Sequence, residues 1–146
     1  MNSQTLCLLA ALTLATTLPT QGETTPAPTE KVSTPEPGTV LRKAILDAMR
    51  AEVVADQKRE QPHEKFPRTV FTPQHFRVLG DWAFVQATML PIYGEEGGIV
   101  AVLKRVKGSW KVVSYSFADD VPDYDRIAKQ VAAPRVLFPK QLKVEE

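Results

Sequence analysis

The chain has 146 residues, 43% apolar, 24% charged and 8% aromatic, the profile of one small domain rather than a fibre, a repeat array or a disordered tail. Eighteen Lys and Arg against 17 Asp and Glu leave a formal net charge of +1, which removes the electrostatic case for a nucleic-acid partner. One cysteine excludes an intramolecular disulfide.

Leu6 to Leu18 reads LCLLAALTLATTL, apolar and uncharged. About 13 residues of helix span roughly 20 Å, short of the ~30 Å hydrocarbon core, so a secretory signal peptide over 1–22 is expected rather than an anchor. The n-region MNSQT lacks Lys and Arg, which departs from the usual pattern. Cys7 lies too early for a lipoprotein acylation site. Removal of the leader would leave no thiol, excluding a cysteine nucleophile and a cysteine zinc site, and no transmembrane segment. The location expected is periplasmic or secreted. Residues 23–37, ETTPAPTEKVSTPEP, offer too little apolar area to offset their ordering entropy and read as a disordered linker.

A single α+β domain is expected over 38–146. Thr39 is placed to cap a helix reaching about Arg59, with Leu41, Ile45, Ala48, Met49 and Val53 on one face and Glu52 as a polar intrusion. Pro62 and Pro67 stop it. Four strands follow: His75 to Leu79, Asp81 to Leu90, Gly98 to Val106 and Ser109 to Phe117. Gly80-Asp81 and Lys107-Gly108 are hairpin turns, giving an antiparallel meander. Alternation puts Ala83, Val85, Ala87 and Met89 on one face of the second strand and Trp82, Phe84, Gln86 and Thr88 on the other. The fourth strand splits into Val113, Tyr115 and Phe117 against Trp110, Val112, Ser114 and Ser116. One face should receive the helix, on the small-residue side of the second strand. The other needs cover from a C-terminal segment, a dimer partner or a ligand. Asp120 is expected to cap a short helix from Pro122 to Val131, ended by Pro134 and followed by an extended apolar tail at Val136 to Phe138.

Candidate chemistry is sparse. Asp119, Asp120, Asp123 and Asp125 cluster, but without EF-hand spacing, so helix capping comes first and a partner contact second. His63 and His75 are too few for a zinc site, and no metal or cofactor is expected. No G-x-S-x-G surrounds Ser114 or Ser116. The Gly94 to Gly98 loop carries two glutamates and no phosphate-binding residue. Trp82, Phe84, Trp110 and Tyr93 are candidates for an aromatic binding surface. Tyr115, with Tyr93 and Asp81, is the loose candidate for acid–base chemistry in a pocket between helix and sheet.

The segments RKAILDAMR (42–50), FRVLGDWAFVQA (76–87) and GSWKVVSYSFADDVPDYDRIAKQVAAPRVLFP (108–139) resemble a family of small exported bacterial proteins without an assigned activity. The resemblance covers most of the domain but not the linker, and implies a periplasmic or secreted setting and no catalytic residue. The helix-then-meander order is also similar to cystatin-like and NTF2-like architectures, which host enzymes and inert binders alike. The function expected is a non-enzymatic binding or accessory domain of the cell envelope. It would associate with a protein, an envelope component or a second copy of itself through the sheet face. The alternative is a small-molecule pocket protein with isomerase-like chemistry.

Overall fold

The computed structural model describes residues 30–65, 67–90, 97–118 and 122–140. The expectations for 1–22, Cys7, Tyr93, Asp119, Asp120 and the glutamates of the 94–98 loop lie outside the described residues. The elements run α1 (Val40–Glu60), β1 (Val70–Leu79), β2 (Trp82–Leu90), β3 (Gly97–Val106), β4 (Ser109–Ala118), α2 (Tyr124–Val131) and a 3₁₀ turn at Arg135–Leu137. This is the expected α+β arrangement, with the strands ordered β1-β2-β3-β4 and all neighbours antiparallel. Among the described residues no helix is long and apolar enough to cross a membrane.

Thr39 caps α1: its extended backbone starts the helix, and its side chain accepts from the Arg42 amide at 3.3 Å. Lys58 and Arg59 in the last turn complement the negative helix end. Ile45, Met49 and Val53 recur at four-residue spacing and are buried. They pack on Ala83, Val85, Ala87 and Met89 of β2, the small-residue face anticipated for the helix. Burying each such side chain contributes about 1.5–3 kcal/mol before entropy is subtracted.

The two hairpins turn differently. Lys107 and Gly108 both have positive φ, the type I′ requirement, whereas only Gly80 does in the first hairpin, as in type II′.

The second face of the sheet is covered by the chain's own C-terminal part. Phe84, Val100 and Val102 are buried with Leu79 beneath Tyr124 and Ala128 of α2 and beneath Leu137 and Phe138. Val136 stays 61% exposed, and the tail forms a 3₁₀ turn rather than an extended strand. A helix, a sheet and a mixed helical layer therefore stack around two cores.

Four features differ from the sequence reading. First, β1 starts at Val70 rather than His75, because Pro73 sits where the pairing with β2 shifts and needs no ladder donor there. Second, a bulge between Val102/Leu103 pairings makes Val113 the extra residue of β4. The side-chain alternation slips by one there, so Trp110 and Val112 share the helix-facing side with Tyr115 instead of opposing it. Third, α2 is capped by Asp123, whose side chain accepts from the Arg126 amide at 3.0 Å. The reading had chosen Asp120, three residues earlier. Fourth, residues 30–37 are not a free spacer. Ser33 exchanges two backbone hydrogen bonds with Val78 of β1 at 2.9 and 2.8 Å. Val32 packs on the second core, and the buried Pro35 offers its carbonyl to Arg42 at 2.9 Å.

Candidate functional site

The aromatic candidates do not form one surface. Phe84 is fully buried, edge-on to Tyr124 with ring centroids 5.6 Å apart and tilted against Phe138 at 5.0 Å. Trp110 is buried on the α1 side, with the Arg105 guanidinium 5.6 Å from its ring centroid. Trp82 is half-buried on the opposite face, beside Lys104 at 4.9 Å. β4's bulge separates the two tryptophans from the shared face that an interaction surface would require of them.

The described acidic candidates are engaged structurally. Asp123 caps α2, and Asp125 pairs with Arg135, whose guanidinium also donates to the carbonyl of Pro139 at 3.1 Å. Among the described residues no group of three or more His, Cys, Asp or Glu could hold a metal ion. His63 and His75 are exposed and distant in the fold, on the loop after α1 and on β1. Asp81 lies in the first hairpin turn and pairs with Arg105 at 2.9 Å. Ser114 and Ser116 sit on β4 opposite Val102 and Val100, away from α1.

Tyr115 is half-buried between β4 and α1, and its hydroxyl donates to Asp56 Oδ2. Arg59 donates to the other oxygen of that carboxylate at 2.5 Å. Burial, the bond to Asp56 and the nearby charges of Asp56, Glu52 and Glu60 all raise the phenol pKa. A phenol held in its protonated form is a poor general base at neutral pH, so the arrangement fastens α1 to the sheet. Phe117 stacks edge-on against Tyr115 at 5.9 Å and is 58% exposed.

A cluster of basic side chains lies elsewhere, along α1. A cleft of about 300 Å³ runs from Pro37 and Thr39 past Leu46 to Arg50 and Arg68. A second, of about 560 Å³, continues past Val54 and Lys58 to Lys65 and Pro67. Arg50 and Arg68 line both, so the two are lobes of one groove between α1 and residues 64–65 and 67–69. Six basic side chains line it, Arg42, Lys43, Arg50, Lys58, Lys65 and Arg68, against the acidic Asp47 and Glu64. The two inner arginines are fixed in place. Arg50 donates from Nε to the carbonyl of Thr69 at 2.8 Å and from Nη1 to Asp47 at 2.5 Å. Arg42 sits 4.9 Å from the Phe76 centroid. The hydrogen bond from Lys43 and the one from Arg50 hold the Asp47 carboxyl below its usual range.

The sequence reading missed this groove. Arg42, Lys43, Arg50 and Lys58 lie off the apolar face that the spacing of 41–53 predicts for the helix. The turn that lays Lys65 and Arg68 alongside them has no one-dimensional signature. The only signal was the contrast between this basic stretch and a near-neutral chain. No protein-family model, no curated protein and no solved structure matches the chain.

Proposed function

We propose that this chain is an exported, non-enzymatic binding or accessory domain of the bacterial cell envelope with a protein partner. The observation that carries the reading is that both faces of the sheet are packed by the chain's own side chains. Ile45, Met49 and Val53 fill the space under α1, and Phe84, Leu137 and Phe138 fill the other side. A small-molecule pocket between helix and sheet, the competing reading, would need part of that volume, and its candidate Tyr115 is already committed to Asp56. The surface offered to a partner is the groove beside α1 rather than the sheet face.

Export rests on the apolar run at Leu6 to Leu18 and on the resemblance of 42–50, 76–87 and 108–139 to small exported proteins. A periplasmic or secreted location and a cystatin-like or NTF2-like assignment belong to the same proposal; the helix-on-meander order supports the latter. Self-association would not run through the strand edges. Lys111 and the Val113 bulge interrupt the β4 edge, while Pro73 and the Ser33 bridge occupy the β1 edge.

Native mass spectrometry of the protein, purified gently from the envelope fraction of its own cells, tests the reading. The expected species is a chain shortened at its N-terminus, bound to a second protein or a second copy. A monomer carrying a small added mass would overturn it in favour of the pocket, and an intact N-terminus would overturn export.

A further inference from the structure

We infer that the groove beside α1 binds an extended acidic peptide segment of a partner protein, with carboxylates seated at Arg50 and Arg68. The inference rests on the binding-domain reading and gives it a site. Three observations lead to the ligand class.

The first is charge. Of the eight charged residues among the described lining of the groove, two are acidic, and one of those, Asp47, is already paired with Lys43 and Arg50. Arg68, Lys58 and Lys65 make no ion pair with any described residue and lie on the exposed rim. The guanidinium of Arg50 is held by Thr69 and Asp47, and an arginine fixed in this way loses little freedom on meeting a carboxylate.

The second is the floor. Pro37, Leu46, Val54 and Pro67 put apolar surface between the charged rims. A bare polyanion such as polyphosphate leaves that surface wet, whereas a peptide alternating acidic and aliphatic side chains covers it. The groove is concave and its rim is charged, which does not suit insertion into a lipid surface.

The third is length. Arg42 and Lys58 are separated along α1 by about 24 Å at ~1.5 Å per residue. An extended segment of about eight residues at ~3.1 Å each spans that distance.

The test is fluorescence anisotropy on the purified full-length protein with three labelled probe peptides of matched length. One alternates Glu and Val, one replaces every Glu by Gln, and one replaces every Val by Ser. The Glu–Val peptide is expected to bind and to weaken as salt is raised through the physiological range. The double variant Arg68→Glu/Lys58→Glu should weaken it by about tenfold or more, because reversed rim charges repel the ligand. Lys111→Glu/Lys129→Glu, on β4 and α2, should leave binding unchanged. Circular dichroism of each variant confirms the fold, and the side chains of Arg68 and Lys58 make no hydrogen bond or ion pair with any described residue. The Glu–Ser peptide should bind about fivefold more weakly, the equivalent of one buried aliphatic contact. Equal binding of the Gln peptide, or indifference to Arg68→Glu/Lys58→Glu, overturns the proposal. Equal binding of the Glu–Ser peptide overturns it in favour of a general polyanion site. A protein complex in native mass spectrometry alongside failed peptide binding sinks this inference alone. A retained small molecule sinks the functional reading beneath it.

Discussion

The phenol of Tyr115 and the guanidinium of Arg59 donate to opposite oxygens of Asp56, so a single carboxylate ties the last turns of α1 to β4. Replacing Tyr115 by Phe keeps the ring against Phe117 and removes only the donor. The expected cost at neutral pH is about 1–2 kcal/mol, since a bond to a charged acceptor is strong but this one is partly solvated. Urea denaturation of both proteins measures it. The alkaline limb carries a sharper signature. The folded-state pKa of Tyr115 is raised above its unfolded value of about 10, so the bond's contribution is complete below that pH. As pH climbs further, the unfolded chain releases the proton first and the native state loses stability. The gap between wild type and Tyr115→Phe should therefore narrow above pH ~10. A gap that stays constant there would mean the hydroxyl is not bonded to Asp56. Tyr124, also raised by burial, is present in both proteins and cancels from the difference.

At the scale of elements, α2 ends in a way that its sequence does not advertise. Ala132 adopts the left-handed conformation at φ 56°, where a glycine is ordinarily found. The Ala133 amide donates to the Ala128 carbonyl at 3.0 Å and the Ala132 amide to Lys129 at 3.3 Å, the paired bonds of a Schellman ending. The conformation is thus imposed by the ending and by the packing of Ala128 on Phe84's core. Ala132→Gly should relieve about 1 kcal/mol and raise Tm by several degrees in a domain of this size. A lower Tm would show that the extra chain entropy of glycine outweighs the relieved strain. What the sequence made legible at this scale follows from the same logic. Apolar spacing in 41–53 and alternation in β2 were readable because each pattern repeats several times. Asp81-flanking Gly80 and the Lys107-Gly108 pair were readable because positive φ leaves few residue choices. The Val113 bulge was not: one extra residue in a run of β-formers changes every later side chain's face without changing the composition. Trp110 and Phe84 stand in the sequence as candidates for an aromatic surface because alternation assigns faces but not what covers them.

For the whole molecule, the N-terminal boundary decides how much chain the fold needs. A protein beginning at Glu30 keeps the Ser33–Val78 pair, the Val32 contact and the Pro35–Arg42 bond, and one beginning at Gly38 loses all three. Their hydrogen bonds contribute about 1 kcal/mol each, offset by the entropy of ordering the segment, so the shorter chain should be less stable by about 1–3 kcal/mol. Equal urea midpoints would mean that 30–37 contributes nothing. Composition misled here. Pro, Thr and Glu rarely hold a chain in place, but an edge strand with open backbone groups accepts any residue whose own amide and carbonyl are free, and Ser33 needed nothing more. The groove beside α1 was illegible on the same account: its basic residues are split between α1 and the stretch after Pro62, and only the fold decides that they face one another.

The Ser33–Val78 clasp also has a mechanical meaning. A pull applied at residue 30 reaches the domain first through two backbone hydrogen bonds at one bridge, and next through the single bond from Arg42 to the Pro35 carbonyl. Val32, packed on the second core, shares that load from the start. Released up to Gly38, the segment spans at most roughly 26 Å at ~3.3 Å per residue, and the chain gains the excess over its docked span while α1 and the sheet remain assembled. The fold thus contains a short, low-force extension in series with a stiff body. A domain held by its N-terminus can lengthen its reach under tension without unfolding, and can shorten again by re-forming one bridge.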